Sequence, residues 1–203
     1  MEQYFIQFSL LILFLPLAAF VVQIFLGKRL PRQGDWVSIS AIGITLILSL
    51  IMFATMLSSY DSGFSKEASF TWIDMGSFSI QLGFLIDNIT IIMLVVVALI
   101  STCTHIFSLE YMAGDIRYSR YFAYLGLFTF SMNGIVLANN LISMYMSWEL
   151  VGVSSYLLIG HWFEKDTAAN AGKKAFLTNR VGDIGFFIGI MLLYTAVGSF
   201  MFS

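Results

Sequence analysis

The sequence predicts an all-α polytopic membrane protein: six transmembrane helices, with a short β-hairpin in the outer loop between the second and third. Three observations carry that prediction. Hydrophobic residues make up 59% of the chain and charged residues 11%, whereas a soluble globular domain carries about 25% charged residues. Apolar runs recur along most of the 203 residues, each near the length of about 20 residues that a hydrocarbon core of about 30 Å demands. Between the second and third runs the pattern changes to residue-by-residue alternation, the period of a strand.

The elements follow in order within a single integral-membrane domain, 1–203. Span one, 5–26, contains Pro16, tolerated in a membrane helix when a neighbour satisfies the freed carbonyl. No basic n-region or cleavage site precedes it, so it reads as a span and not a signal peptide. Span two, 36–57, opens on an interfacial tryptophan, Trp36. In segment 70–84, Phe78, Ile80, Leu82 and Phe84 alternate with small or polar residues, a hairpin signature with its turn at Gly76. An open ribbon leaves backbone groups unpaired, so it belongs outside the bilayer. Span three, 89–109, is led by Asp87-Asn88, an N-cap signal, and carries His105 near its end. Span four, 121–138, closes on Asn139-Asn140, a connection so tight that spans four and five must be antiparallel neighbours. Span five is 141–160 and span six 173–197.

Orientation follows from the basic residues. Lys28, Arg29 and Arg32, then Arg117 and Arg120, then Lys165, Lys173 and Lys174 fall in or beside the first, third and fifth connections, with only Lys66 opposite. A bias of eight to one marks those connections as cytoplasmic and places the N-terminus and the hairpin outside.

The functional residues are charges where charges are expensive. Glu149 stands near the middle of span five, where a charge costs roughly 2.5–3.5 kcal/mol on insertion scales and persists when it faces protein or water. Tyr145, Gly152, Val153 and Tyr156 share its helical face: small residues admit a close neighbour and hydroxyls can hold water. Such a carboxyl, tuned towards neutral pH by burial, can accept and release a proton; otherwise it is a neutral packing acid. Arg180 and Asp183 enter span six three residues apart, close enough to pair; they either neutralise each other for insertion or extend a polar route from Glu149. The Gly185-x-x-x-Gly189 spacing permits close helix contact. Cys103 stands alone in an apolar run and reads as a small buried hydrophobe, which excludes a disulfide framework. The sequence contains no phosphate-binding loop, no nucleophile with a base and no cluster of metal ligands, so redox or hydrolytic chemistry has no seat in it. Nothing points to a nucleic-acid partner.

Several stretches together resemble a known family: Glu110-Tyr-Met, Tyr118-Ser-Arg-Tyr-Phe-Ala-Tyr124, Leu137-Ala-Asn-Asn140, Ser147-Trp-Glu-Leu-Val-Gly-Val-Ser-Ser-Tyr-Leu-Leu-Ile-Gly160 and Lys174-Ala-Phe-Leu-Thr-Asn-Arg-Val-Gly-Asp183. The family is that of subunit L of the proton-pumping NADH:quinone oxidoreductase, respiratory complex I, whose wider relatives include Mrp-type cation/proton antiporters. The resemblance implies that Glu149 is a central proton-transfer residue and that Arg180 and Asp183 serve pumping; the residues themselves offer Tyr145, Tyr156, His105 and Lys174 as supporting candidates. The family pairs that glutamate with a lysine on a later, broken helix, which has no counterpart here, so the chain looks like the N-terminal part alone. The resemblance further implies partners in the bilayer and at its surface, namely the other membrane and peripheral subunits of complex I. No cofactor is expected in this chain; NADH, FMN, iron–sulfur clusters and quinone belong to partner subunits. A bacterial inner membrane is the expected location. Two other readings stand beside this one: a subunit of a cation/proton antiporter, and a membrane scaffold in which Glu149 only packs.

Overall fold

The structure is a computed structural model and describes residues 2–74 and 79–202. Six α-helices stand among the described residues: α1 Glu2–Leu26, α2 Asp35–Ser58, α3 Asn88–Tyr111, α4 Tyr118–Leu137, α5 Leu141–Ile159 and α6 Asp166–Val197. Two strands, β1 Ser65–Asp74 and β2 Ser79–Asp87, pair antiparallel between α2 and α3. Phe70 faces Leu82 and Ser65 faces Asp87 across the ladder, with an irregularity between Thr71 and Ile73. The hairpin is therefore longer at both ends than the expected 70–84. Its added residues, Ser65-Lys-Glu-Ala-Ser69, are polar and lack the β-branched signal on which a strand is read. The expected turn at Gly76 lies outside the described residues.

Five of the helices are long and apolar enough to cross a membrane, and α4 is not among them. The reason is its position. It packs against α1, α3 and α5, so Ser119, Thr129, Ser131 and Asn133 are buried in protein and need not be lipid-compatible. Thr129 and Ser131 return their hydroxyls to carbonyls of their own helix, at 3.0 and 2.7 Å.

Pro16 shows how the core is joined. A proline has no N–H for the carbonyl four residues earlier, which leaves Ile12 O orphaned inside α1. Asn133 Nδ2 of α4 donates to that oxygen at 3.1 Å. Gly126 of α4 meets the same kink: a Cβ there would stand 3.1 Å from Pro16 O. The two helices thus interlock where α1 is weakest.

The connections occupy the two ends of the bundle as antiparallel order requires. At one end α1 passes through Gly27–Arg29 and Pro31–Gly34 into α2, with Arg32, Gln33 and Gly34 successively left-handed (φ 53°, 54° and 79°). Asp35, at the start of α2, is buried and accepts from Arg32 Nη2 at 2.9 Å and Tyr118 OH at 3.0 Å. At the same end Arg117, between α3 and α4, forms a salt bridge with Glu164, between α5 and α6. The basic connections therefore share one end. At the opposite end the hairpin docks on the α4–α5 junction: Asn139 Nδ2 donates to Glu67 Oε1 at 2.7 Å and Asn140 Nδ2 to Gln81 O at 2.8 Å. The segment after α6 closes on the same junction, through Leu141 N to Phe200 O at 3.0 Å.

α6 begins at Asp166, not near 173 as expected. Its first turns, Asp166-Thr-Ala-Ala-Asn170, lie outside the apolar run, and Asp166 in the first turn favours the positive end of the helix dipole.

Candidate functional site: a carboxylate–guanidinium–carboxylate triad between two helices

Glu149 lies mid-way along α5, and Arg180 and Asp183 lie one turn apart on α6, which packs alongside. Arg180 Nη1 forms a salt bridge with Glu149 Oε2. Its Nε stands 3.4 Å from Asp183 Oδ2, a looser ionic contact on the guanidinium's other edge. The expected pair of Arg180 and Asp183 is present, but Glu149 is the nearer partner of Arg180. Spacing along one helix reveals an i,i+3 neighbour, but a partner 31 residues away on another helix leaves no local trace.

Three further residues shape the site. Gly152, one turn after Glu149, is buried, and a Cβ there would come within 3.3 Å of Arg180 Nη2; the missing side chain is the space the guanidinium occupies. Phe176 lies under Arg180, whose Cζ is 4.8 Å from the ring centroid, an arrangement that favours a cation over an aromatic face. Trp148 Nε1 donates to Asp183 Oδ1 at 2.9 Å. Reading the sequence missed Trp148, although an indole N–H in apolar surroundings needs an acceptor and Asp183 was the carboxylate on hand.

Asp183 is almost fully enclosed, its side chain 5% exposed, against 23% for Glu149 and 31% for Arg180. The site opens on a cavity of about 750 Å³ between α4, α5 and α6, into which Trp148, Gly152, Asn179 and Asp183 project among apolar neighbours. One cation thus stands between two anions of unequal exposure. The guanidinium has an acceptor on each of its edges, the nearer on α5 and the looser on its own helix.

The supporting candidates fall elsewhere. Tyr145 packs its ring on Phe186 and Phe187, both at 5.7 Å, and Tyr156 on Phe176 at 5.5 Å; they wall the site without a hydrogen bond to its charges. His105, in α3, bonds Ser101 O of its own helix at 2.7 Å and meets the Phe122 ring, with Nε2 buried and unpartnered. It is not part of this cluster. Lys174 is exposed on α6 and enters none of the salt bridges among the described residues.

A helical membrane bundle holding a partly buried ion triad between its fifth and sixth helices, capped by a hairpin at one end, defines an integral membrane protein of antiporter-like architecture. Comparison with known proteins shows what the chain is similar to. Residues 72–122 match the family model for the N-terminus of chain 5 of NADH-ubiquinone oxidoreductase (complex I), and residues 138–203 the model for the transmembrane region of the NADH:quinone oxidoreductase/Mrp antiporter family. The chain therefore carries those two segments in that order, and the triad lies in the second. It is 42% identical over 204 residues to the chloroplastic NAD(P)H-quinone oxidoreductase subunit 5 of Cryptomeria japonica, a match covering 97% of this chain and 27% of the relative. Against the same subunit of Chaetosphaeridium globosum the identity is 46% over 175 residues, covering 86% and 26%. The organellar chromatophore subunit 5 of Paulinella chromatophora is 41% identical, also covering 86% and 26%. The chain thus spans about a quarter of the length of these curated relatives. Among solved structures, a chain of the membrane-bound sulfane sulfur reductase, an archaeal respiratory membrane complex, superposes with a TM-score of 0.76 at 17% identity, covering 95% of this chain and 38% of that one; that likeness concerns the fold.

Proposed function

We propose that this chain is part of a proton-translocating membrane subunit of NADH:quinone oxidoreductase, the counterpart of subunit L, whose relatives above carry the designation subunit 5. In this reading all six helices span the membrane, α4 sheltered from lipid by its neighbours, and the end bearing the basic connections faces the cytoplasm. The membrane is the bacterial cytoplasmic membrane, whereas the relatives named above are chloroplastic or chromatophore proteins. Electron transfer from NADH through FMN and iron–sulfur clusters to quinone takes place on partner subunits. This chain supplies one wall of a proton path.

The observation that carries the reading is the bridge of Arg180 between Glu149 and Asp183 beside a large cavity. Two carboxylates share one cation, so the guanidinium can shift its stronger contact from one to the other when a proton arrives, which is the step a relay needs. Glu149→Gln keeps shape and hydrogen bonding but removes the titratable proton. Assembly should persist, while protons pumped per NADH oxidised, measured in membranes carrying the complete complex, fall by at least an order of magnitude. Wild-type stoichiometry and rate in that variant would return Glu149 to the role of a packing residue.

A second reading, a cation/proton antiporter subunit, draws on the second family model, whose description names Mrp antiporters as well. Purification separates the two. Flavin and iron–sulfur proteins accompany a complex I subunit, and only other membrane subunits accompany an antiporter.

A further inference from the structure

At the basic end of the bundle, where α1 ends and α4 begins, lies a cavity of about 130 Å³ that the proton path does not use. Lys28, Arg117 and Arg120 line it, and no carboxylate does. Arg117 is already paired with Glu164, but neither Lys28 nor Arg120 takes part in a salt bridge among the described residues. The cavity also adjoins the first turn of α4, a 20-residue helix with no side-chain cap; Tyr118 N donates to Asp115 O at 3.2 Å, and the N–H groups of Ser119 and Arg120 that follow favour an anion.

Two features narrow the ligand. Gln23, 2% exposed, lines the cavity; its Nε2 is committed to Gly34 O, while its Oε1 is buried with no partner. A carbonyl oxygen in that state asks for a hydroxyl or ammonium donor beside the anion. The rest of the lining includes Ile24, on the outward face of α1, and Ile116, 90% exposed in the connection before α4. A site for a free ion gains nothing from these, whereas the glycerol backbone and chains of a lipid would cover them. Basic pockets between helices on the cytoplasmic side are where anionic headgroups are held.

We propose that this cavity binds the headgroup of an anionic phospholipid carrying a free hydroxyl, of the phosphatidylglycerol type. The phosphate lies between Lys28, Arg120 and the start of α4, a headgroup hydroxyl donates to Gln23 Oε1, and the acyl chains descend past Ile24. The site is independent of the proton-transfer reading, since it shares no residue with the Glu149 triad.

The test uses the chain purified in its native assembly and reconstituted in nanodiscs of phosphatidylcholine alone, or with a minor fraction of phosphatidylglycerol or phosphatidic acid. Lipid retained after delipidation is quantified by mass spectrometry, and thermal stability is followed in parallel. Phosphatidylglycerol should be retained several-fold above its bulk fraction. The double variant Lys28→Gln/Arg120→Gln should lose that enrichment, and Lys173→Gln/Lys174→Gln, which removes equal charge from the same end, should keep it. Gln23→Leu should abolish the preference for phosphatidylglycerol over phosphatidic acid while both remain enriched. Equal loss in the Lys173/Lys174 variant would mean diffuse surface charge and overturn the proposal. So would a wild-type chain that retains phosphatidylglycerol only at its bulk fraction, a measurement that needs no variant to fold. Stabilisation by millimolar inorganic phosphate in phosphatidylcholine nanodiscs, with no lipid enrichment, would assign the cavity to a free anion and equally overturn it.

Discussion

At the scale of single residues, the triad depends on a side chain that is absent. Gly152 leaves the volume in which the Arg180 guanidinium lies, with 3.3 Å between Nη2 and the place a Cβ would take. Helix propensity alone favours alanine over glycine by up to about 1 kcal/mol, so Gly152→Ala should assemble as well as wild type. The methyl group nevertheless pushes the guanidinium by a few tenths of an ångström, away from Glu149. Under the proposed function, proton transfer should therefore fall several-fold at unchanged subunit abundance, read as pumping rate against immunoblotted complex. A variant that pumps normally would show that the Glu149–Arg180 contact tolerates displacement and that its geometry does not set the rate. The residues of this site were partly legible in the sequence. Charges at membrane depth are rare enough that Glu149, Arg180 and Asp183 could be picked out by type and position alone. Their partnership was not legible, because the nearest partner of Arg180 and the indole that holds Asp183 both sit on another helix.

At the scale of elements, the membrane helices were legible because their apolar length is imposed by the bilayer, and their ends were not, because polar turns obey no such constraint. Hence α6 starts earlier than its apolar run, and β1 extends through Ser65-Lys-Glu-Ala-Ser69 where the ladder, not the residue type, makes the strand. The pairing of Asn133 with the carbonyl that Pro16 frees gives a test at this scale. Asn133→Leu leaves Ile12 O unsatisfied among apolar side chains, and an orphaned buried carbonyl costs roughly 1–3 kcal/mol. Pro16→Ala restores the internal N–H donor to that carbonyl. The two substitutions should therefore be coupled: Asn133→Leu should be markedly less harmful in the Pro16→Ala background, with an interaction energy of about 1 kcal/mol. Thermal unfolding of the four proteins in one detergent measures it, and strict additivity would mean that Asn133 does not serve the proline.

At the scale of the whole molecule, the basic end is held by a clasp between the α3–α4 and α5–α6 connections. Asp115 accepts from Trp162 Nε1 at 2.7 Å and from Arg117 N at 2.6 Å, and His161 Nε2 lies 3.4 Å away. Burial pushes the Asp115 carboxyl up, but the hydrogen bonds from Trp162, Arg117 and His161 together outweigh it and hold the carboxyl below its ordinary value. A depressed carboxyl stabilises the clasped state above its unfolded pKa of about 3.9 and loses that contribution as pH falls through the folded value. Hydrogen exchange or proteolysis of the two connections should therefore stay slow at neutral pH and rise as the medium is acidified below about pH 4. In Asp115→Asn, opening should be faster at neutral pH and should respond less to acid in that range, while the Arg117–Glu164 salt bridge still joins the two connections. An unchanged acid response would place the titrating group elsewhere. That the clasp occupies the cation-rich end was legible from loop composition; that it joins two loops nearly fifty residues apart was not.

The bond between α4 and the kink of α1 also has a consequence in time. Asn133 follows Ile12 by 121 residues, and a ribosome adds roughly 5–20 residues per second, so α1 spends about 6–24 s in or near the bilayer before the amide that completes it has been synthesised. Through that interval the Ile12 carbonyl faces hydrocarbon without a donor, a state that water, a headgroup or an insertion factor must relieve. α1 is thus completed only when α4 arrives, and its release into lipid is tied to that event.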